Sequence, residues 1–172
     1  MKKHFAFISM PAVGHVNPTL PLVTELLRRG HRVSYAVGRE LASAVETTGA
    51  DVIELPTRMP ETQRGQFGPE QTTAMIQFFV DDIRASFPIL RQRFRADAPD
   101  AVCFDTMAIP GRMLVENLGL PGVALVSNFA FNEKFSLRDV IASDDAEFSA
   151  EAFAEFGQRI QQIGAEFGVR AE

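Results

Sequence analysis

Three observations predict an α/β fold built on a Rossmann-like, doubly wound parallel sheet. Short all-apolar runs recur along the chain and stop at Pro or Gly, as strands buried on both faces do. The segments between them carry apolar residues at helical spacing. The order strand–helix–strand–helix–strand is complete within about fifty-five residues, and that order is the first half of a doubly wound sheet.

The elements follow in order. Phe5 to Ser9 is a short apolar strand that runs into the turn PAVGHVNP. Val16, Leu20, Val23 and Leu27 then repeat at helical spacing, with Pro18 near the start, Arg28 and Arg29 in the last turn and Gly30 just beyond. Proline early, cations late and a terminal glycine are helix start and stop signals. Arg32 to Val37 is the second strand, Arg39 to Thr48 the second helix, closed by Gly49, and Val52 to Leu55 the third strand. Thr57 to Pro69 is a loop, since Pro56, Pro60, Gly65, Gly68 and Pro69 crowd it.

A long amphipathic helix follows, with Ile76, Phe79, Val80, Ile83, Phe87, Leu90 and Phe94 on one stripe. Pro88 should kink it, because proline removes one backbone donor and crowds the preceding turn. Ala101 to Phe104 is a fourth strand, Pro110 to Leu118 a short helix and Val123 to Val126 a fifth strand. The loop Asn128 to Asp145 leads to a last helix striped by Phe153, Phe156, Ile160, Ile163 and Phe167. That stripe needs a surface, and a further strand would be the usual continuation. The sequence is therefore expected to be a truncated piece of a longer fold.

At 172 residues with 46% hydrophobic content, the chain can close one core, so residues 1–172 are read as one domain. Seventeen basic residues against twenty-two acidic ones argue against nucleic acid as partner, because that affinity comes from Lys and Arg releasing counterions. No run approaches the ~18 apolar residues of a membrane span. MKKHFAFISM imitates a signal peptide, but polar residues interrupt it and no cleavage site follows. The lone Cys103 excludes an intrachain disulfide and fits a cytoplasmic location.

In an open parallel sheet, ligands bind where loops leave the carboxyl ends of strands. Two polar residues stand at such ends among apolar neighbours: His15 after the first strand and Asp105 after the fourth. An imidazole backed by a carboxylate is a general-base pair: the carboxylate fixes the tautomer, and the other nitrogen takes a proton from a hydroxyl. The plainer alternative is that His15 caps its turn and Asp105 the next helix. The first βα turn lacks G-x-G-x-x-G, and the chain has no P-loop and no G-x-S-x-G elbow. This counts against a nicotinamide or flavin enzyme, a P-loop nucleotidase and a simple serine hydrolase.

His4 and His31 read as structural, the latter as a cation at a helix end, with no ligand spacing for a metal. Cys103 reads as a small buried hydrophobe. Asp81, Asp82, Asp144 and Asp145 read as solvated. Fifteen Phe accompany one Tyr and no Trp. Phe67, Phe129 and Phe131, with Met10 and Met107, lie in loops beside the two polar residues. They are candidates for walls around a greasy small molecule.

The run FISMPAVGHVNPTLPLVTELLRRGHRVSYAV resembles the amino terminus of bacterial macrolide and related natural-product glycosyltransferases, which use UDP-sugars. The stretch DAVCFDTMAIPGRMLVENLGLPGVALVSNFAFNE is similar to a second block of that family. The resemblance implies half of a GT-B architecture, the amino-terminal acceptor-binding domain without the nucleotide-sugar domain. It implies His15 as base and Asp105 as its partner in an inverting transfer, with Met10, Gly14, Phe67, Met107, Phe129 and Phe131 toward a hydrophobic acceptor such as a macrolide or flavonoid. No cofactor and no metal are implied; the UDP-sugar is a co-substrate held mainly by the absent domain. An isolated half should turn over little, and the surface left by truncation could support self-association. The competing expectations are a catalytically silent small-molecule or partner module on the same fold, and an unrelated Rossmann enzyme with a nucleotide at its first βα turn.

Overall fold

A computed structural model describes residues 1–60, 69–127 and 150–170, without the side chains of 69–72 and 150–153. Its five strands are β1 (His4–Ile8), β2 (Arg32–Gly38), β3 (Asp51–Leu55), β4 (Ala101–Asp105) and β5 (Gly122–Leu125). They form one parallel sheet in the order β3-β2-β1-β4-β5. The doubly wound parallel sheet predicted from the sequence is therefore present, with strand ends shifted by a residue or so.

The helices are α1 (Val13–Val16), α2 (Leu20–Arg28), α3 (Arg39–Glu46), α4 (Pro69–Ala96), α5 (Ile109–Leu118) and α6 (Ala150–Glu166). The first predicted helix is divided: a 3-10 turn at Asn17–Thr19 separates α1 from α2. Pro18 and Pro21 explain this, since neither can donate a backbone hydrogen bond to a continuous helix. α4, in contrast, runs on through Pro88. Gly119 closes α5 in the left-handed conformation (φ 63°), where a glycine carries no Cβ penalty. No described helix is long and apolar enough to cross a membrane.

Alternation along the strands gives the sheet two apolar faces. Ala6, Ile8, Ala36 and Val102 point toward α4, α5 and α6, where Ile83, Phe87, Leu90, Phe94, Ile160 and Ile163 complete the larger core. Phe7, Val33, Tyr35, Val37 and Cys103 point the other way, toward Val16, Val23 and Val45 of α1, α2 and α3. The stripe on α6 is covered by α4: Phe156 meets Phe79 at 5.4 Å between ring centres, and Phe167 meets Phe87 at 5.1 Å. The surface that the stripe required is thus a helix.

α5 lies close on β1 and β4 because Gly111 has no side chain. A Cβ there would stand 2.7 Å from Phe104 Cβ and 3.2 Å from Ile8 Cβ. This contact fixes the height at which the chain leaves β4.

Asp82 corrects one expectation. Asp81 is exposed, but Asp82 is half-buried and accepts a hydrogen bond from Ser86 Oγ at 2.7 Å. Burial raises its pKa above the usual carboxylate value, opposed by the Ser86 and Thr57 hydroxyls. A raised acid pKa gives stability that is present at low pH and lost as pH rises through the folded value. Asp82→Asn should therefore raise the melting temperature at pH 7, and raise it less near pH 4. A lower melting temperature at pH 7 would mean that the ionised carboxylate supports the fold.

Candidate active site

The site begins with the strand order. From β1 the chain steps to β2 and β3 on one side, and β4 and β5 lie on the other. The carboxyl end of β1, paired with β4 through Ile8 and Phe104, is therefore the point where the winding reverses. A crevice opens at such a point because the flanking loops diverge.

Two local features bring His15 and Asp105 there. After β1, Ala12 is extended (φ -133°, ψ 137°) and caps α1, and the His15 amide donates to the Ala12 carbonyl at 2.9 Å. Val16, fully buried beside His15, anchors this turn in the face formed by Phe7 and Tyr35. Asp105 is two residues beyond Cys103 and so points to that same face. His15 Nδ1 and Asp105 Oδ2 meet at 2.7 Å, with the Asp105 side chain 2% exposed and that of His15 13%.

The carboxylate is held from three directions. Its Oδ1 accepts the Met107 backbone N–H at 2.8 Å, and its Oδ2 accepts the Ser127 hydroxyl at 3.1 Å as well as His15. Asp105 also organises the turn ahead of α5, since its carbonyl accepts the Ala108 amide at 2.8 Å. It is not the cap of α5, whose N-cap is Ala108 with no side-chain hydrogen bond; it holds the preceding turn and pairs with His15.

Ser127 Oγ lies 2.7 Å from His15 Nδ1 as well. Sequence reasoning missed this residue. It sits just past β5, and the strand-end logic that picks out His15 and Asp105 would have found it. Both oxygens face one ring nitrogen, so the three side chains are not a serine-nucleophile triad, which needs the serine on the other nitrogen. Nε2 of His15 has no hydrogen-bond partner among the described residues.

A cleft of about 140 Å³ opens over the pair, walled by Pro18, Thr19, Leu22, Leu125 and Val126. Thr19 Oγ1 is 2.7 Å from the Tyr35 hydroxyl, which burial above all keeps neutral by raising its pKa. The described cleft is smaller than the ~300–1,000 Å³ of typical small-molecule sites. Of the candidate wall residues, Met10 lies in the larger core at 5% exposure, and Met107 packs half-buried against that core. Gly14 is exposed on α1 with open space beside it. None of these three lines the cleft. Phe67, Phe129 and Phe131 lie outside the described residues.

The other titratable residues lie elsewhere. His4 is buried at the opposite end of β1, between Ser34 Oγ and Arg32 Nη2, each at 2.9 Å. His31 accepts the Lys3 amide on Nδ1 at 3.2 Å. Burial pushes the Cys103 thiol up to about 11, which leaves it unreactive. The described residues contain no group of three or more His, Cys, Asp or Glu that could hold a metal.

Fold and site together define a parallel α/β unit with a hydrogen-bonded His–carboxylate pair at its switch point. No protein-family profile matches the chain. It is 35% identical to an NDP-glycosyltransferase of Bacillus licheniformis over 156 residues, 87% of this chain and 39% of that protein. It is 33% identical to an oleandomycin glycosyltransferase of Streptomyces antibioticus over 129 residues, 73% of this chain and 29% of that protein. Among solved structures, a glycosyltransferase of kitacinnamycin superimposes with a TM-score of 0.75 at 30% identity, over 97% of this chain and 41% of that one. The chain belongs to the bacterial glycosyltransferases and matches one part of their GT-B members. It spans about two-fifths of the length of the first relatives it matches.

Proposed function

We propose that this chain is the acceptor-binding half of an inverting glycosyltransferase that moves a sugar from a UDP-sugar to a hydroxyl of a hydrophobic natural product. The observation that carries this is the 2.7 Å contact between His15 Nδ1 and Asp105 Oδ2 beneath the cleft, with Nε2 left open. An acceptor hydroxyl in the cleft gives its proton to Nε2. Its oxygen forms a bond to the anomeric carbon while the bond from that carbon to the diphosphate oxygen breaks, and UDP leaves with the electron pair. One displacement inverts the anomeric centre. Asp105 stabilises the imidazolium that forms, which is how a carboxylate raises the strength of a histidine base.

Leu22, Leu125 and Val126 give the cleft an apolar rim suited to a greasy acceptor. The diphosphate needs donors such as helix amino termini, which the second half of a GT-B enzyme supplies. The isolated chain therefore binds acceptor and turns over little. Acceptor binding without turnover is also what a silent binding module would show, so the test must follow His15 itself.

A histidine NMR titration of this chain with UDP, UDP-glucose, a macrolide and a flavonoid phenol tests the assignment. The expected result is a shift of the His15 ring on adding acceptor and no response to nucleotide. Tight nucleotide binding by this chain alone would place the donor site on the wrong half.

A further inference from the structure

Ser127 does more than line the cleft. Its hydroxyl oxygen is 2.7 Å from His15 Nδ1 and 3.1 Å from Asp105 Oδ2. These three atoms form a closed triangle, because Nδ1 and Oδ2 are themselves 2.7 Å apart. The number of protons decides how they are used. A bare Nδ1 would set a lone pair against a carboxylate oxygen, so Nδ1 carries the proton and donates. The Ser127 proton then has one acceptor in the triangle, Asp105 Oδ2. A lone pair of Oγ is left facing the Nδ1–H, which is shared between carboxylate and hydroxyl.

We infer that Ser127 is a positioning residue for the His15 base. It rests on the assignment of His15 as base, but its consequence is structural and measurable without catalysis. With Asp105 alone, the imidazole would hang from one hydrogen bond and could swing across it. A second acceptor beside the first narrows that swing and keeps Nε2 turned to the cleft. Ser127 also restrains the carboxylate, whose other oxygen is pinned by the Met107 amide. The triangle joins the turn after β1 to the ends of β4 and β5, so a residue at the sheet edge sets the aim of a ring two strands away.

The test is proton exchange at the His15 Nδ1–H, measured by ¹⁵N NMR on the 172-residue chain at pH 8, with His15→Ala to assign the signal. Ser127→Ala should speed exchange by about two- to tenfold, the equivalent of one net hydrogen bond. Ser127→Thr, which keeps the hydroxyl, should restore the wild-type rate. The His4 ring, buried at the other end of the sheet, should be unchanged in both variants. Wild-type exchange in Ser127→Ala would overturn the inference. So would equal loss in Ser127→Thr, or faster exchange at His4 as well, since either would indicate general loosening. Failure of acceptor to perturb His15 would instead remove the catalytic assignment and leave the positioning result standing.

Discussion

Replacing His15 by alanine is expected to lower glycoside formation by about 10²–10⁴-fold in an enzyme where this chain is joined to a sugar-nucleotide domain. That factor corresponds to roughly 3–5 kcal/mol of barrier. It is large because the other polar side chains among the described residues lining the cleft are already engaged. Asp105 is buried and its two oxygens are occupied by His15, Ser127 and a backbone amide. Thr19 Oγ1 is tied to Tyr35, whose phenol burial keeps neutral. The loss should fall on kcat more than on KM, because proton removal matters in the transition state rather than in binding. The fold should be retained, since α1 is a single turn anchored by Val16 and His15 belongs to neither apolar core. A rate near wild type, with the fold intact, would remove His15 as base.

The second large effect is on stability. Phe87→Ala should cost about 3–5 kcal/mol, the usual range for emptying an aromatic site in a packed core. Phe87 is 0% exposed and lies where three elements meet: its own helix α4, the sheet, and the end of α6 through Phe167. Arg91 lies over both rings, at 5.6 Å from the Phe87 centre and 5.8 Å from the Phe167 centre. Truncation therefore leaves a cavity and also removes one of the contacts by which α6 is docked. Against a total stability of about 5–15 kcal/mol, such a loss is a large fraction. The urea midpoint should fall by at least about 1 M, given slopes of ~1–3 kcal/mol per molar. Ile89→Ala, two positions along and 37% exposed, is the control and should change little. Equal shifts for the two variants would mean that α6 does not depend on this contact.

Much of this architecture was legible from residues alone, for identifiable reasons. Strands buried on both faces leave short, uninterrupted apolar runs, and each of the five predicted runs became a strand. Helix ends left their marks in Gly30, Gly49 and Gly119, which all adopt positive φ. What failed was local. Pro18 and Pro21 split one predicted helix, whereas Pro88 did not interrupt another. Propensity gives proline the same penalty in both places, and packing decides whether it is tolerated. α4 is held along its length by Ile83, Phe87, Leu90 and Phe94 in the core. The first turn has only Val16 and Val23 as buried anchors.

The site was legible in part. His15 and Asp105 were visible because polar residues at strand ends stand out among apolar ones. Whether they touch depends on strand order, and ninety residues of sequence separation carry no statement about that. Met10 stood out as an apolar loop residue beside them and proved to be core, because its side chain turns into the sheet's larger packing face. Asp82 looked solvated because it neighbours Asp81, yet helical rotation turns the second of the pair inward.

The sequence by itself determined the fold class, the order of elements and the two polar residues standing at strand ends, since these rest on periodicity and residue chemistry. The tertiary structure decided that β1 and β4 are neighbours, that Ser127 completes the triangle, and that α4 is the surface that α6 covers. Each of these is a contact between distant segments. Such contacts follow from how whole faces pack, and no local pattern encodes which face meets which.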